Sequence, residues 1–304
     1  MAEAVFHNPV GKPRRRFKVF NVVVYGIVTL AAIVYIAPFA WMLTKSLQNQ
    51  FEAGSTNLTP AKIQWQNYTD VMNGSTEVGV ERKFGNFLIN TLKIEALTII
   101  LQTTICVLAA YAFARMHFPG RDMLFAMLLM TLFVPSIILI VPNLIIVTQI
   151  SRAFESIHPS LKWMNNWPSL VIPFLSNTFS IFLLRQFFMQ IPDELWDAAR
   201  IDGAGHLRFL WQIVVPISRA SIATTILFTF IAVWSAFEWP LLVLQNNPEW
   251  TPISVALAQF RSDGGERTHL LMAAAVVALV PIMILYFFTQ RQFTQGISTT
   301  GLKG

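Results

Sequence analysis

Ile191–Ala220 reads IPDELWDAARIDGAGHLRFLWQIVVPISRA, a polar, helix-forming segment set between two apolar runs long enough to cross a membrane. Pro192 suits the first turn of a helix, and Asp193 and Glu194 put negative charge at the positive end of its dipole. Leu195, Trp196 and Ala199 then recur at the spacing of one apolar face, while Asp197, Arg200 and Asp202 take up the rest. Gly203 and Gly205 end the helix, because glycine accepts the positive φ of a C-cap. LRFLWQIVV resumes a helical pattern as far as Pro216, where the next apolar run begins. The segment is therefore expected to form helix, glycine turn, helix on a membrane surface. On these residues alone two uses stay open. One is an amphipathic helix lying in the headgroup layer, to which Trp196 and Arg200 are suited; the other is a helix docked into a groove of a soluble partner.

Outward from this segment the chain is apolar. Its 304 residues are 54% hydrophobic and 12% charged, with a mean hydropathy of +0.53, which excludes an ordinary soluble domain and fits a multi-span membrane protein. A span needs roughly 20 mainly apolar residues. Six stretches meet or approach that length: 20–43, 87–114, 123–150, 170–188, 217–244 and 270–288. The chain divides into a basic N-terminus (1–19), a membrane region (20–289) and a polar tail (290–304). KPRRRFK precedes the first run, which is long and lacks a small-residue cleavage site, so it reads as a retained helix and not a signal peptide.

Lys12, Arg14, Arg15, Arg16 and Lys18 cluster before the first span, and the alternate loops that share their side carry the excess of Lys and Arg. The positive-inside rule puts both termini, and with them the Ile191–Ala220 loop, in the cytoplasm. The net charge of +6 is spread over loops and the N-terminus without a basic stripe, so nucleic acid is not an expected partner; membrane lipid is. Cys106 stands alone inside an apolar run, and the five histidines do not approach ligand spacing; no disulfide or metal site is expected. The one Gly-Lys pair, Gly11-Lys12, is followed by Pro13, so the chain lacks a phosphate loop and is not expected to hydrolyse ATP. The outer loops, about 44–86, 151–169 and 245–269, are too short to form a separate solute-binding domain.

Within this frame the polar segment resembles the cytoplasmic EAA loop of ATP-binding-cassette (ABC) importer permeases. The matching positions are Asp197, Ala198, Ala199, Asp202, Gly203, Ala204, Phe209, Ile213 and Pro216. Asp197 stands where that family usually has glutamate, and Ala220 where a second proline is common. AYAFARMHFPGRD (Ala110–Asp122), WSAFEWPL (Trp234–Leu241) and the tail QRQFTQGISTTGLKG (Gln290–Gly304) are similar to further segments of the MalG-like, carbohydrate-importing branch. The 44–86 loop carries no comparable motif.

The resemblance implies an all-α integral membrane protein with six transmembrane helices, the type I importer permease fold and an EAA coupling helix. It implies residence in a bacterial or archaeal cell (inner) membrane. It also implies a heterodimer with a second permease subunit, two ATP-binding subunits that hold ATP and Mg, and an extracytoplasmic solute-binding protein, with no cofactor on this chain. Leu195, Trp196 and Ala199 would be the docking face for an ATPase, Asp197 its polar partner and Gly203 the turn that sets the entry angle. Ala198 and Asp202 belong to the same motif, and Gln295, Gly296 and Gly301 would reach the ATPases from the tail. Asn143 after Pro142, Asn177 four residues after Pro173, and Glu238 beside Trp234 and Trp239 are the candidate substrate path, since proline inside a span frees a carbonyl that only protein or a water-filled cavity can cover. Lys93 and Glu95, two residues apart near one end of the second span, read as charges reaching for the interface. A secondary transporter or channel working without an ATPase is the alternative; it calls for deep charge relays and an inverted repeat, and neither is visible.

Overall fold

The computed structural model describes residues 19–74, 83–245, 247–263 and 267–298, and among these the regular structure is helical throughout. The first apolar run forms α1 (Val19–Ser46). The following loop holds α2 (Gln50–Ala53) and α3 (Gln66–Asn73). The second run is one unbroken helix, α4 (Phe84–Arg115). Where a single third span is expected, α5 (Arg121–Met130) passes through a tight turn at Thr131–Phe133 and ends before Pro135, and α6 (Ser136–Ile157) starts anew. Pro135 has no N–H to donate and pushes Val134 into an extended conformation, ψ 117°, so one helix cannot run through.

The fourth run divides at Ser176-Asn177 into α7 (Trp167–Val171) with its turn Ile172–Phe174, and α8 (Thr178–Phe188), bent by 44°. The Ile191–Ala220 segment gives α9 (Asp193–Ile201), α10 (His206–Phe209), a π-helical turn at Leu210–Val214 and α11 (Val215–Ile217). A bend of 82° separates these from α12 (Arg219–Trp234). After α13 (Glu238–Val243), residues expected to be plain loop contain α14 (Ile253–Asp263), which buries Ile253, Val255 and Ala256. The last helix, α15 (Thr268–Ser298), continues past the apolar run. Its backbone carries Gln295 and Gly296, so the tail does not part from the helix at residue 289; Gly301 lies outside the described residues. Among the described residues four helices have the length and apolarity to cross a membrane, or six when each bent pair counts as one span.

α4 is the central member, packed against α8, α12 and α14. Its buried side chains include Asn90, Thr91, Glu95, Thr98 and Gln102, at the 3- and 4-residue spacing of one helix face, and α12 offers Ser221, Thr225 and Thr229. The threonines satisfy themselves: Thr91 donates to Phe87 O at 2.8 Å, Thr98 to Ile94 O at 2.8 Å and Thr229 to Thr225 O at 3.0 Å. At these three positions small hydroxyl residues let helices approach closely without leaving a donor unpaired. Glu95 departs from the expectation of a charge at the interface. It is 3% exposed, and both carboxyl oxygens lack a hydrogen-bond partner, whereas the Lys93 ammonium lies 5.9 Å from the Trp250 ring centroid.

α1 packs along α15 and leaves its other faces uncovered, with Val22, Ile27, Leu30 and Ile33 all more than half exposed. Lys45 at its end is buried, and its ammonium donates to the carbonyls of Ser55 (2.7 Å), Asn57 (2.8 Å) and Glu52 (3.3 Å). One cation therefore gathers the loop after α1 around three backbone acceptors.

Candidate functional site

A cavity of about 440 Å³ lies in the bundle between α4, α6, α7 and the α12–α13 break. Four of the five residues expected on the substrate path line it: Asn143, Asn177, Glu238 and Trp239. The fifth, Trp234, does not. It packs with Phe84, Phe87 and Leu270 and donates its indole N–H to Ala278 O at 3.2 Å, so it braces α12 against α15. α12 ends after Trp234, and the chain turns before α13, which puts the two tryptophans on different sides of the break.

Trp239 is 7% exposed and fixed by an N–H···O bond of 2.8 Å to Ser169 O, with Phe174 edge-on at 5.6 Å. These rings supply flat apolar wall. Asn177 is the N-cap of α8, its Oδ1 accepting from Ser180 N at 2.9 Å, which explains why a polar residue follows Pro173. The sequence reading missed Gln102. It is 5% exposed, lines the cavity and makes no hydrogen bond among the described residues; a lone glutamine in a long apolar run was the available signal.

At the opposite end of α4 the chain is tied into a different site. Arg115, the last residue of α4, donates its Nε–H to Phe188 O at 3.0 Å, bonds Ile191 O and pairs with the Asp193 carboxylate. It thereby covers carbonyls at the end of α8 and meets the first residue of α9. Arg185 of α8 returns the contact, donating to Phe113 O at 3.2 Å with its guanidinium 4.1 Å from the Phe125 ring centroid. Asp122, 3.9 Å from Arg185, is held below the usual carboxylate range by a hydrogen bond from Arg121.

α9 lies against this clasp. Trp196 stacks on His206 at 4.4 Å and meets Phe209 edge-on at 5.0 Å, while Tyr111 shares a 2.9 Å hydrogen bond with His206 Nδ1. Ala199 is 5% exposed in the same cluster. Trp196 and Ala199 therefore face their own chain, which corrects the expectation that they form an outward docking face with Leu195. The reason is the length of the loop: α10 returns close enough for the apolar face of α9 to bury against α4 and α10. What α9 exposes is Asp193, Glu194, Leu195, Asp197, Ala198, Arg200 and Ile201, the last at 87%.

The turn after α9 is a Schellman motif: Ala204 N donates to Ala199 O at 2.8 Å and Gly203 N to Arg200 O at 3.0 Å, with Asp202 as C-cap and Gly203 at φ 74°. A Cβ on Gly203 would meet no atom within 4 Å, so only its backbone conformation opposes substitution. Gly203→Val is expected to destabilise the purified protein by at least about 1–2 kcal/mol, and Gly203→Asn by less, because asparagine tolerates the left-handed region. Equal melting temperatures for the two variants would show that the turn does not need that conformation.

An all-helical membrane bundle, with a cavity among its spans and a short amphipathic helix held at one end, defines the class: a membrane permease subunit. The chain belongs to the family described as "Binding-protein-dependent transport system inner membrane component", whose model matches residues 102–299. It is similar to the sn-glycerol-3-phosphate transport system permease protein UgpE of Yersinia pestis, 30% identical over 280 residues, covering 90% of this chain and 92% of that one. The protein of that name from Pectobacterium atrosepticum is 29% identical over 290 residues, covering 93% and 97%. Among solved structures, a bacterial ABC transporter involved in the import of the acidic polysaccharide alginate has a chain that matches with TM-score 0.77 and 20% identity, covering 91% of this chain and 98% of that one. The bacterial alginate transporter in complex with alginate pentasaccharide-bound periplasmic protein matches at TM-score 0.59 and 17% identity, covering 90% and 96%. The fold is that of the type I ABC importer permeases.

Proposed function

We infer that the chain is one half of an ABC importer permease that passes a sugar or related polyol, delivered by an extracytoplasmic binding protein, and that α9 couples it to an ATPase subunit. The observation that carries this reading is α4. Thr91, Thr98 and Gln102 of this helix line the cavity, and Arg115 at its end holds α9. From Gln102 to Arg115 is about 20 Å of rigid helix. A displacement of α9 by a closing ATPase pair is thus transmitted to the cavity wall without an intervening loop, which is what alternating access driven from outside the membrane requires.

ATP and Mg belong in this reading to the partner ATPases, and the second permease subunit completes the path. Orientation follows the cationic clustering: α9, Arg115 and Arg185 on the cytoplasmic side, both termini with them, and the α13–α14 end outside. The relatives named for sn-glycerol-3-phosphate and the fold match to an alginate importer support a hydroxylated cargo, as do the aromatic faces and amides of the cavity.

The test is reconstitution of the chain with its sister permease, ATPases and binding protein. ATP hydrolysis is expected to rise several-fold when cargo-loaded binding protein is added, and uptake to require ATP. Uptake that runs on an ion gradient without ATP would favour a secondary transporter and overturn the assignment.

A further inference from the structure

We propose that Glu238 makes the cavity a charge filter, so that the cargo passing it is a neutral carbohydrate or polyol and anionic sugars are refused. This rests on the reading of the cavity as the cargo path. The relatives it resembles are named for sn-glycerol-3-phosphate, an anion, and the solved fold match concerns an acidic polysaccharide. The cavity of this chain offers no cation on its own wall that would match an anionic cargo. Among its lining residues Glu238 is the one ionisable side chain; no Lys, Arg or His is present.

The Glu238 side chain is exposed in this chain and its carboxylate has neither a hydrogen-bond nor an ion-pair partner among the described residues, so water screens its charge but no counter-ion on this chain cancels it. A phosphate or carboxylate that gives up hydration against this wall finds no cation on it as a replacement. A polyol finds the complement of its hydroxyls. The carboxylate can accept two O–H donors, and the amides of Gln102 and Asn143, neither hydrogen-bonded among the described residues, can both donate and accept. Gln102 adds a second uncommitted polar group to the wall, since it is 5% exposed and makes no hydrogen bond among the described residues. Phe174 and Trp239 supply the apolar faces against which sugar C–H groups pack.

The filter is tested by thiol labelling in the assembled transporter, in membranes. Cys106, buried at 1% exposure, is replaced by alanine, and Asn143→Cys places a thiol in the cavity. Three methanethiosulfonates are compared, one cationic (trimethylammonium-ethyl) and one anionic (sulfonato-ethyl) of similar size and a smaller neutral one (methyl), with labelling read on this chain by mass. At low salt the cationic-to-anionic rate ratio, normalised to a free thiol, is expected to be about tenfold. It should fall towards one in Glu238→Gln, invert in Glu238→Lys and shrink with added salt. Free sn-glycerol-3-phosphate at millimolar concentration is expected not to slow the neutral reagent. A ratio near one, a ratio unchanged by Glu238→Gln, or protection by that anion equal to its protection in Glu238→Lys overturns the filter while leaving the path intact. Failure of all three reagents to reach the thiol overturns the path itself, and the filter with it.

Discussion

Arg115→Ala is expected to uncouple the transporter: ATP hydrolysis by the assembled complex persists while uptake falls at least tenfold. The side chain is 10% exposed and satisfies the carbonyls of Phe188 and Ile191, at the junction where α8 ends and α9 begins. Removing it leaves Ile191 O without its donor, at about 1–3 kcal/mol where water cannot replace it, and Phe188 O with only the 3.4 Å bond from Ile191 N. The ion pair with Asp193 contributes little to that total, since the Asp193 carboxylate is 87% exposed and screened. Asp193→Asn should therefore be mild. Arg115→Lys should be intermediate, because one ammonium cannot span carbonyls and carboxylate in the fork geometry of a guanidinium. The order Ala worse than Lys, and Lys worse than Asp193→Asn, is read both as melting temperature in detergent and as the ratio of solute moved to ATP hydrolysed. If Arg115→Ala inserts and moves solute at the wild-type ratio, α4 is not the link between the cavity and α9.

The parts of the site that were legible in sequence are those whose cause is local. The start of α9 at Pro192, Asp193 and Glu194 and its stop at Gly203 depend on caps and a left-handed residue, and the backbone shows both. Asn143 and Asn177 were picked out by neighbouring prolines, again a local signal, and both line the cavity. What failed depended on contacts far along the chain. Trp234 and Trp239 are five residues apart and chemically alike; only the packing of Trp234 on Ala278 and of Trp239 on Ser169 separates brace from cavity wall. The inward turn of Trp196 is decided by His206 and Tyr111, ten residues downstream and eighty-five upstream, which helical periodicity on α9 alone does not contain. Pro135 is a different case. It marks the restart of the helix at α6 as plainly as Pro192 marks α9, but within a continuous apolar run hydropathy drowned the backbone signal.

The inward packing of Trp196 separates two roles that the apolar face of α9 had joined, and a pair of substitutions reads them apart. Ile201→Glu alters a side chain that is 87% exposed and touches nothing its own fold requires, so the melting temperature should stay where it is, within about 0.5 kcal/mol of stability. Ala198 and Leu195 lie one and two helical steps away on the same exposed strip, and Leu207 of α10, 66% exposed, extends the apolar surface beyond Gly203. If an ATPase covers that strip, a charge at its centre costs the interface at least about 2 kcal/mol, near thirtyfold in affinity. The ATPase subunits should then fail to co-purify. Trp196→Ala should show the converse order. The loss of the ring between His206 and Phe209 removes internal packing, about 3 kcal/mol for an incompletely buried tryptophan, so the protein melts earlier and ATPase binding declines only as the helix loosens. Should Ile201→Glu keep its ATPase while membrane association of α9 weakens, the exposed strip lies in the headgroup layer and the coupling surface is elsewhere on the chain.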